Sequence, residues 1–243
     1  MVKIVKWLVP SKDEEDEKFE LKYIKAGLVS VDEIALVQAK NEIIVFIERT
    51  LKMYNLVKNL HLEKSEKQIE KIIRKVTRYE EIADRIEEEI ANFLTKASSA
   101  ELSVNSSETI NSMLKLVSRI ESLNDALHNT AQQIHLKKQK KMNFNEEMIE
   151  RLNKLFSMLD ENIKELPLVI KKKTPNININ EKRQQRDEID AYIEKLNLWH
   201  LKDIKKGVYK YKVGIVYCDI FNELESVGNH TYHVLKYINE INI

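Results

Sequence analysis

The chain has 243 residues, of which only 4 are glycine and 3 are proline, while 33% are charged. This composition is typical of long helices with solvated outer faces, so we predict an all-α fold. A formal net charge of +1 gives no overall field for binding nucleic acid. The single cysteine, Cys218, excludes an internal disulfide, and no stretch approaches the roughly 20 apolar residues of a membrane span.

The first two helices are predicted from apolar residues at helical spacing and from polar residues at their starts. Ser30 with Glu33 forms a capping-box pattern, and the helix that follows should end near Leu60. Ser65 with Gln68 should open the second helix. The residues of the first helix expected to face inward are Ile34, Val37, Ile44, Ile47, Leu51 and Met53.

Four more helices follow in the chain. The third should run from about Ser107 to Lys138, after a loop rich in serine and asparagine. The fourth should start at Asn143-Phe144-Asn145, and Pro167 should kink or end it because proline has no backbone donor. The polar connector KKKTPNININ then leads to a fifth helix that reaches Gly207, and a sixth closes the chain. The fifth helix should direct Ile189, Ile193, Leu196, Trp199 and Leu201 inward.

The two halves of the chain contain an internal repeat. Residues 120–134 align with residues 224–238 without a gap. Such duplication predicts two three-helix units, with the first helix as an added element. We therefore predict a linker or juxtamembrane segment at 1–29, a first helical repeat with an added N-terminal helix at 30–142, and a second repeat at 143–243.

Three of the predicted helices carry an acidic residue followed, four positions later, by a second acid or an amide. This spacing places both side chains on one helical face, beside the apolar stripe. Oxygen ligands from neighbouring helices suit a divalent or trivalent metal ion; the alternative is that these acids are merely solvated surface residues. The candidate metal ligands are Glu80 and Asp84, Glu121 and Asp125, and Glu225 and Asn229, with His233 as a weaker candidate.

The sequence contains no glycine-rich phosphate loop, nucleophile elbow or cysteine–histidine pairing, so we predict neither an enzyme nor an organic cofactor. A metal-dependent phosphohydrolase is the least favoured class, since no activating base or nucleophile accompanies the carboxylates. Basic runs at 137–141 and 171–173 lie at predicted helix ends, where cations suit the helix dipole. They could also contact anionic headgroups or a partner.

Several of these residues resemble the PhoU family. Its helical signature is matched by Tyr217, Asp219, Glu225, Gly228, Asn229 and His230. The segment RYEEIADRIEEEI is similar to that family's first acidic helix, and residues 6–43 resemble the segment that follows the last membrane helix of sodium/phosphate cotransporters with a PhoU-like tail. The chain departs from the pattern at Asn229, where the family has aspartate, and at Gln184 and Gln185, where acids could stand.

The resemblance implies a six-helix, two-repeat bundle, metal held by Glu-x-x-x-Asp pairs, and a cytoplasmic place at the inner face of the membrane. It also implies regulation of phosphate transport or homeostasis. The partner would be a membrane phosphate transporter, in the same chain or separate, or a phosphate-sensing kinase, and homo-oligomers are compatible with it. The alternatives are a free-standing PhoU-type regulator and a purely structural helical scaffold without metal that docks partner helices.

Overall fold

The computed structural model describes residues 21–24, 32–98, 103–172 and 176–241. Every regular element in these ranges is an α-helix, which confirms the predicted all-α class. No helix in them is long and apolar enough to cross a membrane. Ser30 and most of the 1–29 segment lie outside the described residues. The six helices are α1 (Asp32–Leu62), α2 (Glu66–Ala97), α3 (Val104–Gln139), α4 (Glu146–Val169), α5 (Ile179–Lys205) and α6 (Tyr211–Glu240).

The six helices pack as two three-helix units. In one unit α1, α2 and α3 contact one another, and in the other α6 contacts both α4 and α5, which also touch. The most extensive contact is between α3 and α6, and α1 also contacts α4. The helices α1, α3, α6 and α4 therefore form a four-helix centre, while α2 and α5 lie outside it.

Helix α1 packs on both α2 and α3, as an integral part of the first unit. Its buried face differs from the predicted one: Ile34 is 52% exposed and Val37 is 46% exposed, whereas Ala35 and Ala39 are fully buried. The prediction followed the large aliphatic side chains, but small residues face the core at the start of this helix. Small side chains there let the helix backbones approach closely.

The helix boundaries lie close to the predicted ones, with differences in detail. The Asn145 side chain accepts a hydrogen bond from the backbone N–H of Met148 at 2.9 Å, as expected of an N-cap. Ser65 is the residue before α2, yet its side chain makes no capping hydrogen bond. Pro167 lies inside α4 and does not end it, since the helix continues for two more residues, to Val169.

Helix α5 begins within the predicted connector, at Ile179, where the side chain of Asn178 accepts from the N–H of Glu181 at 3.3 Å. Its C-terminal half is more exposed than predicted, since Leu201 is 56% exposed. Among the helices of the described ranges, this outer helix contacts two, α4 and α6. Its apolar face is therefore covered over only part of its length.

A buried polar contact links α1 to α3. The amide of Asn124 donates to the hydroxyl of Thr50 at 2.9 Å and to the backbone carbonyl of Ile120 at 2.8 Å. Both side chains are almost fully buried. The contact satisfies their polar atoms inside the core and holds α3 in register on α1, beside the acidic surface of α3.

Candidate functional site

Carboxylates from α2 and α3 converge at the surface of the first unit. Glu80 and Asp84 lie one turn apart on α2, next to buried positions of its core-facing stripe. Asp125 lies on the flank of α3 that meets them. One carboxylate oxygen from each of these three residues lies within 4.8 Å of the other two. Within the described ranges, no other group of three acidic, histidine or cysteine side chains meets this criterion.

We call these three residues, with Glu121, the acidic cluster. Burial, followed by the neighbouring carboxyl of Asp125 and the charge of Glu87, raises the pKa of Glu121 to about 7. The hydroxyl of Ser122 donates to Glu121 Oε2 at 3.3 Å and acts in the opposite direction. Glu121 thus lies beside Asp125 and extends the cluster along α3.

Like charges oppose ionisation within the cluster. Burial raises the pKa of Glu80, and the charges of Asp84 and Asp125 add to the effect. Burial also raises the pKa of Asp84, and Asp125 again adds to it. His128 acts in the opposite direction on both residues. The cluster therefore holds electrostatic repulsion that a bound cation would relieve.

His128 lies beside the cluster with its ring already hydrogen-bonded. Gln132 Nε2 donates to His128 Nε2 at 2.9 Å, and the hydroxyl of Thr77 lies 3.4 Å from the same nitrogen. These contacts fix the ring between α2 and α3. His128 therefore lies at the rim of the helix pair, where its positive charge, when it is protonated, would oppose the charge of the carboxylates.

Glu87 is a member of this surface that the sequence analysis did not identify. Its charge raises the pKa of Glu121. It follows Glu80 by seven residues, which is about two helical turns, so it lies on the same face of α2. A three-residue step from Asp84, rather than a further four-residue step, would have found it.

The second unit places its predicted pair in a different setting. Glu225 on α6 faces α5, where burial raises the pKa of Glu225 and the charges of Asp190 and Glu194 add to it. Asn229 is half-buried and brings no charge. The four-residue spacing of Asp190 and Glu194 repeats that of the acids on α2, so the same rule could have selected them.

The positions at which the family pattern suggested acids lie elsewhere on α5. Gln184 is exposed and donates to Glu188 Oε1 at 3.1 Å. Gln185 Oε1 accepts from Lys182 Nζ at 3.2 Å. The acids that face Glu225 lie five to ten residues later in the chain, about one and a half to three turns further along α5.

Gly228 has a packing role on α6. A β-carbon at this position would lie 3.2 Å from Leu159 Cδ2 and 3.3 Å from Ile189 Cδ1, closer than ordinary van der Waals contact. The glycine therefore lets α6 approach α4 and α5. This contact accounts for the glycine without any ligand.

His230 and His233, which follow Gly228 on α6, both have lowered pKa values. Arg119 Nη1 donates to His230 Nδ1 at 3.1 Å. Burial lowers the pKa of His230 to about 4, and the charge of Arg119 contributes. Burial and then Arg119 also lower the pKa of His233. Arg119 thus joins α3 to α6 next to the acidic cluster.

Comparison with known proteins gives a likeness in fold. No protein-family model matches the sequence, and no curated protein matches it. Among solved structures, the chain is similar to the phosphate transport system regulatory protein PhoU from Streptococcus pneumoniae, with a TM-score of 0.67. The match covers 86% of this chain and 95% of that one at 15% sequence identity. It confirms the predicted PhoU-like helical bundle as a fold.

Proposed function

We propose that this chain is a non-enzymatic regulatory module of phosphate transport. The observation that carries the proposal is the likeness in fold to a phosphate transport system regulatory protein, which extends over 86% of this chain. The acidic cluster at the contact of α2 and α3 supports it, because it offers a place where an ion could change the module. The described residues include no glycine-rich phosphate loop that would favour a catalytic role instead.

The proposed partner is a membrane phosphate transporter, which places the module on the cytoplasmic side of the membrane. In one form of the proposal, the chain is the tail of a sodium/phosphate cotransporter, as the resemblance of residues 6–43 suggests. In the other form, it is a free-standing regulator that acts on a separate transporter or on a phosphate-sensing kinase. An antibody to this chain distinguishes the two, because the first form predicts a band well above 28.6 kDa in the membrane fraction.

We also propose that the acidic cluster holds a divalent or trivalent metal ion. Glu80, Asp84 and Asp125 would bind it, with Glu121 beside them. Carboxylate oxygens are ligands for hard cations, and three from two helices already lie close together. The ion would supply positive charge that joins α2 to α3. Glu225 and Asn229 are weaker candidates, since only one of the two is charged.

Elemental analysis of the purified protein tests the metal proposal. The triple variant Glu80→Gln, Asp84→Asn, Asp125→Asn should lose the metal, because each change removes charge at nearly constant shape. The matched control is Glu88→Gln with Glu89→Gln, which removes two exposed acids from the same helix. Equal metal content in all three proteins, including none, would contradict the proposal. The pair Glu121→Ala with Asp125→Ala tests the contribution of α3 separately.

Uptake of radioactive phosphate by cells tests the regulatory role. Cells that lack the chain should fail to adjust uptake when external phosphate changes from scarce to abundant. The wild-type chain should restore the adjustment, and so should the Glu88→Gln, Glu89→Gln control. If uptake responds identically in cells with and without the chain, the regulatory proposal is wrong.

The second candidate function is a structural scaffold that docks partner helices. Large apolar side chains are exposed near the end of α5 and the start of α6, which favours it: Leu198 is 66%, Leu201 56% and Tyr211 69% exposed. A scaffold of this kind needs no metal. It predicts that adding metal ions leaves the thermal melting of metal-free protein unchanged.

A further inference from the structure

A cavity of about 600 Å³ lies between the start of α2 and the end of α3. Its volume falls in the range of small-molecule binding sites. Ile69 and Met142 give it an apolar part. The cations that line it come from both helices and their ends: Lys64, Lys67, Lys137, Lys138 and Lys141. We call it the lysine pocket.

Three glutamates also line the pocket, but two of them are already engaged. Glu63 Oε1 accepts from the backbone N–H groups of Lys64 and Ser65, both at 2.8 Å. Glu70 Oε1 lies 3.0 Å from His135 Nε2. The five lysines outnumber the three glutamates, so the lining keeps a net positive charge even though the carboxylate of Glu63 also interacts with Lys138.

Lys137, one of the five lysines, packs its ammonium group on an aromatic ring. It is half-buried, and its Nζ lies 4.4 Å from the centre of the Phe144 ring. Burial lowers its pKa to about 8, and the charge of Lys138 contributes. Within the described residues, no carboxylate lies within ion-pair distance of it. A half-buried ammonium group without an anionic partner is partly desolvated at a cost in free energy, and an anion in the pocket would offset that cost.

The backbone at the end of α3 brings two further lysines to the pocket. Met142 N–H donates to Lys137 O at 2.9 Å and Lys141 N–H to Lys138 O at 3.0 Å, which closes the helix with Lys141 in the left-handed region at φ 49°. Lys138 Nζ donates to the backbone carbonyl of Glu63. This bond ties the end of α3 to the connection before α2.

The start of α2 lies at the same pocket. Its N-cap residue, Ser65, makes no side-chain capping bond, so the first N–H groups of the helix have no such partner. Free N–H groups at a helix start favour negative charge. Their partial positive charge adds to that of the lysines.

We propose that the lysine pocket binds a small organic anion that carries more than one phosphate group. Lys137, Lys138 and Lys141 hold the phosphates, and the organic part contacts Ile69 and Met142. Several separated cations favour several phosphates over one, and the apolar lining favours an organic molecule over an inorganic anion. The cations line a concave site, which favours a small molecule over the flat surface of a lipid bilayer.

This inference goes beyond the proposed function and shares no residue with the acidic cluster. Failure of the metal experiment or of the uptake experiment leaves it standing. In the same way, absence of anion binding leaves the regulatory proposal standing.

Isothermal titration calorimetry tests the lysine pocket with the full chain in EDTA. The probes are ATP, tripolyphosphate and inorganic phosphate, with phosphatidylglycerol vesicles in a separate sedimentation assay. We expect ATP to bind more tightly than tripolyphosphate, and inorganic phosphate to bind most weakly. Absence of ATP binding overturns the proposal. Equal binding of inorganic phosphate and ATP overturns it too, as does binding to vesicles alone.

Two variants and one control assign the binding to this pocket. Lys137→Met keeps an aliphatic side chain on Phe144, and Lys141→Gly suits the left-handed backbone, so both should fold. Each should weaken ATP binding about tenfold or more. The control, Lys205→Gln with Lys206→Gln, removes exposed lysines from the equivalent end of α5 and should not change binding. Loss of binding in the control, or unchanged binding in both variants, overturns the assignment.

Discussion

The hydroxyl of Tyr54 on α1 donates a hydrogen bond to Asp160 Oδ1 on α4 at 2.7 Å, across the junction of the two helical units. The same hydroxyl lies 3.0 Å from the backbone carbonyl of Phe156. Asp160 also pairs with Lys58 at 2.7 Å and with Lys164 at 2.8 Å. Burial opposes ionisation of Asp160, yet these three side-chain donors lower its pKa to about 2. The junction therefore depends on a charged hydrogen bond.

Tyr54→Phe should weaken the fold by removing that bond. The tyrosine is fully buried, and a hydrogen bond to a charged acceptor contributes about 1.5 to 3 kcal/mol. Urea denaturation followed by circular dichroism measures the loss in the free energy of unfolding. Tyr211→Phe, at a residue that is 69% exposed, is the matched control and should change nothing. Equal stability of Tyr54→Phe and the wild type would show that the bond does not stabilise the junction.

Lys141→Gly and Gly207→Ala should shift stability in opposite directions. Both residues end a helix with positive φ, 49° for Lys141 and 67° for Gly207. A side chain in this conformation costs about 1 kcal/mol relative to glycine. A β-carbon at Gly207 would meet no atom within 4 Å, so only the backbone effect is measured there. Thermal unfolding of both variants checks the pair, and a shift in the same direction for both would contradict the explanation.

His61 should make the fold sensitive to acid. It is 4% exposed, and burial, followed by the charges of Lys137 and Lys138, lowers its pKa to about 4. Between pH 6.5 and 4 the unfolded chain takes up a proton on this ring that the folded chain does not. Stability is therefore fully present above pH 6.5 and falls as the pH drops, by on the order of 3 kcal/mol.

The variant His61→Leu isolates this effect. Its free energy of unfolding should fall less than that of the wild type between pH 7 and pH 4.5. The difference between the two proteins at pH 8 gives the change in packing alone, since the ring is neutral there in both states. Parallel pH profiles for the two proteins would rule out His61 as the source of the acid sensitivity.

Asp125→Asn should raise the melting temperature of metal-free protein at pH 8. The charge of Asp125 raises the pKa of Glu80, Asp84 and Glu121, so its removal relieves repulsion among partly exposed groups. With a divalent cation added, the wild type should gain more stability than the variant. Scanning calorimetry in EDTA and in Mn²⁺ measures both effects. A lower melting temperature of the variant in EDTA would mean that Asp125 stabilises the metal-free fold.

The fold was predictable where the apolar period is long and unbroken. The stripe of α2 that includes Val76, Ile86 and Ile90 is buried as its spacing predicts. On α1 the same reasoning selected Ile34, which is exposed, because alanines occupy the core-facing positions at the start of that helix. Spacing identifies a helix reliably, but which face is buried depends on the helices around it.

The candidate site was predictable only in part. The four-residue spacing selected Glu80, Asp84 and Asp125, and the structure brings them together because the consecutive helices α2 and α3 pack side by side. It did not reveal that Asp190 and Glu194 face Glu225, because the register of two packed helices cannot be read from either helix alone. The lysine pocket was visible only as a basic run, since the cavity arises where the start of α2 meets the end of α3.

Helix α3 is an unbroken rod of 36 residues, about 54 Å in length. It carries Asp125 near its middle and Lys137 near its end, about 18 Å apart along the axis. Its contact with α6 is the most extensive of any pair of the described helices. Because a close-packed interior resists compression, a tilt imposed at one end of the rod cannot be absorbed locally. A displacement of α3 at its lysine-bearing end should therefore also move Asp125 and the contact with α6, because one continuous helix carries all three.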